Sequence, residues 1–352
     1  MIMPSSPTKT TPISPLRKSI MDFLEYCEIG KNQSPNTIAA YYRYLDKFER
    51  FAQGIGLKDP KDINLDTVNK YRLYLNRLAD GEGRTLKLIT QNYHLIALRA
   101  FLKYLIKQDI KTLSPEKIEL PKNPQRQVEF LENDELKRLF EAVSQEPDEI
   151  ARLRDYAILQ TLFSTGLRVS ELASLKRDMI NLERREFTVR GKGSKLRLVF
   201  LSDSAAEAIK KYLKKRSDNN KALFIAHSKI GMSVEKQMES QGFESPSPNP
   251  SHSTVAKAMA DRQGRGKQGA GLTPRSIQRI IKKYCLIAGI VKKVSPHTLR
   301  HSFATDLLQN GADIRSVQTL LGHASITTTQ IYTHVTNQGL RDIHRKYHNK
   351  GD

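Results

Sequence analysis

Cysteine is nearly absent: Cys27 and Cys285, far apart in the chain, are the two in 352 residues. Thiols so placed exclude a disulfide framework and a zinc cluster built on cysteines, and they fit a reducing cytoplasm. Long apolar runs are missing too. No stretch of about 18 apolar residues occurs and no basic amphipathic terminal helix stands out, so no membrane partner is expected. The opening MIMPSSPTKTTPISP lacks the apolar core of a signal peptide, and residues 1–15 are expected to form a disordered arm. Acidic residues are in short supply. The 37 Asp and Glu stand against 58 Lys and Arg, a formal net charge of +21 spread along the chain. A folded protein with that excess expects a polyanion, of which nucleic acid is the commonest.

What is present reads as two domains, each large enough for its own core. Four helical patterns fill residues 16–107. The first covers about residues 16–27. The second opens on Ser34-Pro35, an N-cap followed by proline at the first helical position. Ile38, Tyr41, Tyr42, Leu45, Phe48 and Ala52 then run at helical spacing. The third, about residues 65–79, turns Val68, Tyr71, Leu75 and Leu78 inward, and the fourth, residues 90–106, carries Tyr93, Ile96, Ala97, Phe101 and Leu105. Residues 108–128 hold Pro115, Pro121 and Pro124 without an apolar period and are expected to be a linker.

The second domain, residues 129–352, opens with a helix capped at Asn133, followed by the apolar helix DYAILQTLFSTG ending at Gly166. Residues 186–190 and 196–201 look like strands around the turn GKGSK. Residues 228–271, with SPSPNPSHS and RQGRGKQGAG, are low in complexity and are expected to be a flexible insertion. The fold class is mainly α with a small antiparallel β-sheet.

The chain is organised around SPHTLRHSFATDLLQNGADIRSVQTLLGHASITTTQIYTHVT, residues 295–336. His297 and Arg300 share one helix face near its start. A second helix, about residues 313–321, ends at Gly322 with His323 directly after it, and Tyr332 follows nine residues later. Imidazoles, a guanidinium and a phenol together suit phosphoryl transfer, in which cations hold a phosphate while tyrosine attacks it. Taken singly, these residues say little. A tyrosine near a C-terminus usually packs, and Arg168 with Glu171 at i, i+3 is most often a surface pair. The GKG turn lacks the spacing of a nucleotide-binding loop. His344 and His348 lack a third ligand, so no metal site is expected there.

Taken together, SPHTLRHSFAT and LLGHASITTTQIYTHV resemble the active-site block of the tyrosine site-specific recombinases, in the Xer and integrase branch. TGLRVSELASL and SPNTIAAYYRYLDKF are similar to two further stretches of that family. The resemblance implies a two-domain clamp on DNA: a four-helix, SAM-like core-binding domain over residues 16–107 and a catalytic domain from 129. It implies Tyr332 as nucleophile, and a phenol with an ordinary pKa of about 10 needs help to lose its proton. Arg168 and Arg300 would hold phosphate oxygens, with His323 as a further phosphate donor and Glu171 as support. Lys192, with Lys195 as its near neighbour, would protonate the leaving 5′-hydroxyl, and His297 would take the proton of Tyr332.

Such an enzyme forms a 3′-phosphotyrosyl intermediate and a Holliday junction without ATP, nicotinamide or metal. The implied partners are double-stranded DNA with an inverted-repeat site and a homotetramer in which the stripe Leu340, Ile343 and Tyr347 docks on a neighbour. Whether a second recombinase or a DNA translocase is needed stays open. Chromosome or plasmid dimer resolution at the nucleoid is the expected role. Integration of a mobile element, a non-catalytic DNA-binding regulator and topoisomerase-like relaxation stay open as alternatives.

Overall fold

The computed structural model describes residues 14–79, 83–121, 129–191, 196–227, 271–323, 325–329 and 332. Lys192, Lys195, the insertion up to residue 270 and the stripe Leu340, Ile343 and Tyr347 lie outside the described residues. The chain divides into two compact units, residues 1–125 and 126–352. No helix among the described residues is long and apolar enough to cross a membrane.

The first unit holds α1 (Pro15–Glu25), α2 (Pro35–Gly54), α3 (Leu65–Arg77) and α4 (Leu88–Lys107). Local chemistry sets three of the starts. Ser14 accepts from the Arg17 N–H, Ser34 from Thr37 and Asn64 from Thr67, each satisfying a donor that the first turn leaves free. Ser14 and Pro15, expected in the arm, are instead the cap and first residue of α1. A π-helical turn, Tyr26–Gly30, continues α1.

Ile38, Leu45, Phe48, Val68, Tyr71, Leu75, Ala97, Phe101 and Leu105 are buried as their spacing suggests. Two expectations on α4 fail: Tyr93 and Ile96 are exposed, while Leu98 and Leu102 are fully buried. Three helices, α1, α2 and α3, pack on α4, so its buried stripe is wider than one amphipathic face and is rotated from the expected one. The supposed linker also differs. As far as Pro121 it lies on this unit, with Ile118 fully buried, Thr112 Oγ1 donating to the Pro60 carbonyl at 3.0 Å and Asn92 Nδ2 to the Pro121 carbonyl at 2.9 Å.

The second unit is built around α6 (Glu149–Thr165), whose Ala157, Ile158, Leu159 and Leu162 are fully buried. Before it stands α5 (Asn133–Ala142). The cap of α5 is Glu132, not Asn133, because the Glu135 carboxylate folds back to accept the Glu132 N–H at 2.9 Å. After α6 come the short α7 (Val169–Ala173) and strands β1 (Ile180–Asn181), β2 (Glu186–Arg190) and β3 (Leu196–Phe200), paired antiparallel in the order β1-β2-β3. Phe187, Val189 and Val199 face the core. α8 (Asp203–Lys215), α9 (Pro274–Ile287) and α10 (Pro296–Gln309) pack on α6, and α11 (Ile314–Leu321) packs on α10 and β3.

Residues on either side of the insertion meet: the Leu272 N–H donates to the Phe224 carbonyl at 2.9 Å. The chain thus leaves and re-enters the core at one place, so extra length there need not disturb the core. A separate small cluster, Ala304, Leu308, Val317, Leu321 and Tyr332, joins α10 and α11.

Candidate active site

The site starts where α6 stops. Gly166 takes a left-handed conformation, φ +57°, which ends the helix and turns the chain toward Arg168. A side chain at Gly166 would stand 2.5 Å from the Phe303 ring. Arg168 is extended and leads into α7, whose first turn carries Glu171.

Glu171 anchors the cluster and is only 8% exposed. Its carboxylate accepts from the Arg168 N–H at 2.8 Å and Arg168 Nη1 at 2.9 Å. It also takes both terminal nitrogens of Arg197, at 3.0 and 2.8 Å. Burial would raise this carboxyl, but the Arg197 fork and the Arg168 N–H outweigh it, so it stays below the ordinary carboxylate range.

Arg300, on the second turn of α10, is 4% exposed. Its guanidinium bridges the ends of two helices, with Nη1 donating to the Gly166 carbonyl and Nη2 to the Leu321 carbonyl, both at 2.5 Å. Helix C-termini favour a cation, which makes this a built seat for the arginine. Burial first, then repulsion from Arg168 and Arg197, brings its pKa down to about 10. It remains charged at neutral pH.

Gly322 ends α11 in the left-handed region, φ +64°. Its carbonyl lies 3.5 Å from Arg168 Nη2, and a Cβ there would stand 3.0 Å from Arg197 Cδ. His323 follows. Its Nδ1 bonds Thr329 Oγ1 at 2.9 Å and its carbonyl accepts from Gln318 Nε2 at 3.1 Å. Burial, Arg300 and Arg168 push its imidazole down to about 4, so it is neutral.

The phenol of Tyr332 is fully buried within the small cluster. Its hydroxyl lies 2.5 Å from Nδ1 of His301, with the two ring planes tilted by 59°. Burial lifts the phenol to about 12 against the pull of Arg300. His297 is the histidine expected beside this phenol. Among the described residues the imidazole bonded to Tyr332 is that of His301, one helical turn further along the same face of α10. His297 sits in the first turn with its ring partly open to solvent, and surrounding protein, Arg300 and Arg168 keep its pKa below the ordinary histidine value.

The structure therefore gathers Arg168, Glu171, Arg300, His323 and Tyr332, with His297 at the margin of the group. Arg197 and His301 join them without having been expected. Both had a signal in the sequence: Arg197 shares a face of β3 with buried Val199, and His301 stands at i+4 from His297. Three guanidiniums against one carboxylate leave an excess of positive charge, and neutral imidazoles add N–H donors. Such a pocket suits the oxygens of a phosphodiester, beside a tyrosine able to attack it.

Comparison with known proteins agrees with this chemistry. The Phage integrase family matches residues 129–338, and the phage integrase N-terminal SAM-like domain matches residues 20–109. Tyrosine recombinase XerD of Listeria monocytogenes serotype 4b (strain F2365) is 34% identical over 331 residues, 94% of this chain and 98% of the relative. Tyrosine recombinase XerC of Pelotomaculum thermopropionicum is 35% identical over 337 residues, 94% of this chain and 97% of the relative. Among solved structures, the XerH site-specific recombinase bound to difH substrate in a pre-cleavage complex is 25% identical. It aligns with TM-score 0.62 over 92% of this chain and 83% of that one.

Proposed function

The chain belongs to the phage integrase family of tyrosine recombinases, and from that membership we propose that it cleaves and rejoins DNA at a specific site through a 3′-phosphotyrosyl intermediate. The observation that carries the proposal is the convergence of Arg168, Arg300 and His323 beside a tyrosine whose phenol already feels the Arg300 charge. Arg168 and Arg300 hold the non-bridging oxygens as permanent cations, and Glu171 keeps Arg168 aimed. His297 and His323, neutral at pH 7, donate N–H bonds to the same phosphate. Oη of Tyr332 attacks phosphorus and the P–O5′ bond breaks. Lys192 is the proposed acid that protonates the 5′ oxygen. The 5′-hydroxyl of a second strand then attacks the phosphotyrosine, restores the phenol and needs no ATP.

Because Tyr332 is wholly buried in the free protein, engagement of DNA has to uncover the phenol, still beside His301, to the scissile phosphate. The net charge of +21 supports duplex DNA as the partner. Relatives named XerD and XerC support an Xer-like role, resolving chromosome or plasmid dimers at an inverted-repeat site. A tetramer on two duplexes, with residues 340–347 docking on a neighbour and a second recombinase or translocase assisting, belongs to that proposal.

The test uses duplexes nicked near a randomised centre, which trap the covalent intermediate by losing the attacking strand. SDS-resistant adducts lost in Tyr332→Phe and enriched for an inverted repeat are expected. Enrichment for the ends of a mobile element points to integration instead. Adducts that persist in Tyr332→Phe refute the assignment.

A further inference from the structure

We propose that His301 is a catalytic residue of this site, the group that takes the proton from Tyr332 in cleavage and returns it in rejoining. The proposal rests on the recombinase reading and adds a residue to it.

The geometry carries the assignment. Tyr332 Oη is fully buried, and among the described residues its partner is His301 Nδ1 at 2.5 Å. A buried hydroxyl has one proton to donate, and leaving it unpaired is costly. The contact satisfies that donor when the ring proton of His301 sits on Nε2 and Nδ1 is the acceptor. The charges around the ring favour this neutral tautomer. His297 and Arg300 face it from its own helix, His323 from the end of α11 and Tyr332 from the small cluster, and together with burial they hold the imidazole at about 4. A neutral ring with a free lone pair against a phenol is poised to accept. His297, placed a turn nearer the mouth, has no such contact among the described residues.

The scheme balances. As Oη bonds to phosphorus, the phenolic proton passes to Nδ1 and His301 becomes the cation. The incoming phosphodiester supplies the negative charge that this otherwise cationic site lacks, and so raises the basicity of the ring at the moment it is needed. In rejoining, Tyr332 is the leaving group, and the proton on Nδ1 returns to its oxygen.

The experiment measures single-turnover adduct formation on the nicked duplex with the full chain, across pH, for wild type, His301→Phe and His301→Asn. Phe keeps the ring volume, and Asn keeps an acceptor with no useful basicity. Both are expected to cleave about 10²-fold more slowly or worse. In both, the rate is expected to climb with pH toward the range where the phenol ionises by itself. Replacing Tyr332 with a fluorotyrosine of lower phenol pKa is expected to speed both variants more than it speeds wild type. A 5′-phosphorothiolate duplex, whose leaving group needs no proton, is expected to leave them slow. A wild-type rate in His301→Asn, or no selective gain from fluorotyrosine, reduces His301 to a packing residue and overturns the proposal. Adducts that survive Tyr332→Phe overturn the recombinase reading itself, so the two failures are distinct.

Discussion

Arg197 grips Glu171 with both terminal nitrogens, at 3.0 and 2.8 Å, and Glu171 in turn holds the side chain and the backbone N–H of Arg168. A strand residue thus fixes the aim of the arginine that caps α7. Arg197→Ala leaves a buried carboxylate with half its partners, and a loss of about 3 kcal/mol in urea unfolding is expected, with adduct formation falling alongside. Arg197→Lys should restore little, because an ammonium cannot span both oxygens. Unchanged adduct yield in Arg197→Ala would remove Arg197 from the positioning of the site.

The two left-handed glycines give a graded comparison. Alanine at Gly322 adds the cost of the left-handed backbone, about 1–2 kcal/mol, and pushes on Arg197. At Gly166 the same strain is joined by a Cβ 2.5 Å from Phe303 and 3.0 Å from Leu321, both held by packing. Gly166→Ala should therefore lower the unfolding midpoint more than Gly322→Ala, while Gly322→Ala slows cleavage at a stability loss of about 1–2 kcal/mol. Equal stability losses in the two variants would contradict this ordering.

Acid should loosen the fold through its buried imidazoles. His94 hydrogen-bonds Tyr71 at 3.0 Å and, chiefly by burial with a contribution from Lys47, is pushed down to about 4. Its folded pKa is depressed, so the unfolded chain binds the proton first, at about 6.5. Stability is complete above that pH and falls as pH drops toward 4. His301 and His323, also at about 4, act in the same direction. Urea midpoints followed from pH 8 to pH 5 should decline in wild type and decline less in His94→Asn. Parallel curves for the two proteins would exclude His94 as a contributor.

Ion pairs of opposite burial should behave differently. The side chain of Arg216 is fully buried, chelates Asp218 at 2.6 and 2.8 Å and donates to the Ala222 and Leu223 carbonyls. Arg216→Ala is expected to cost about 3–5 kcal/mol, because it strands those acceptors. The Lys70–Asp66 pair, 2.7 Å long but on an exposed face of α3, should change stability by less than about 0.5 kcal/mol when Lys70 becomes Ala. Differential scanning calorimetry ranks the two.

Ser34-Pro35, the stop at Gly166 and the apolar rows of α2 and α3 were legible because capping and periodicity are local. Each depends on residues within a turn or two of one another. The block around His297, Arg300, His323 and Tyr332 spans more than one helix, and it was legible because its residue types and spacing together resemble one family. The buried face of α4 was not legible from its period alone, because three neighbours pack on it and no single face is favoured. Nor was the seating of residues 108–121 on the first unit, which rests on Ile118 and on side-chain bonds to distant carbonyls.

The amino-acid order by itself determined the helical class, the hairpin and the family, and it named most of the residues that the fold gathers at the candidate site. Tertiary structure alone decided which histidine meets the phenol and which arginine braces Glu171. His297 and His301 lie on one face of α10, and spacing cannot rank them. The rank follows from depth: the first turn opens to solvent, while the second faces the small cluster where Tyr332 is buried. Arg197 meets Glu171 only because β3 packs on α6, whose end leads into α7, a juxtaposition fixed by tertiary packing and not by any local signal.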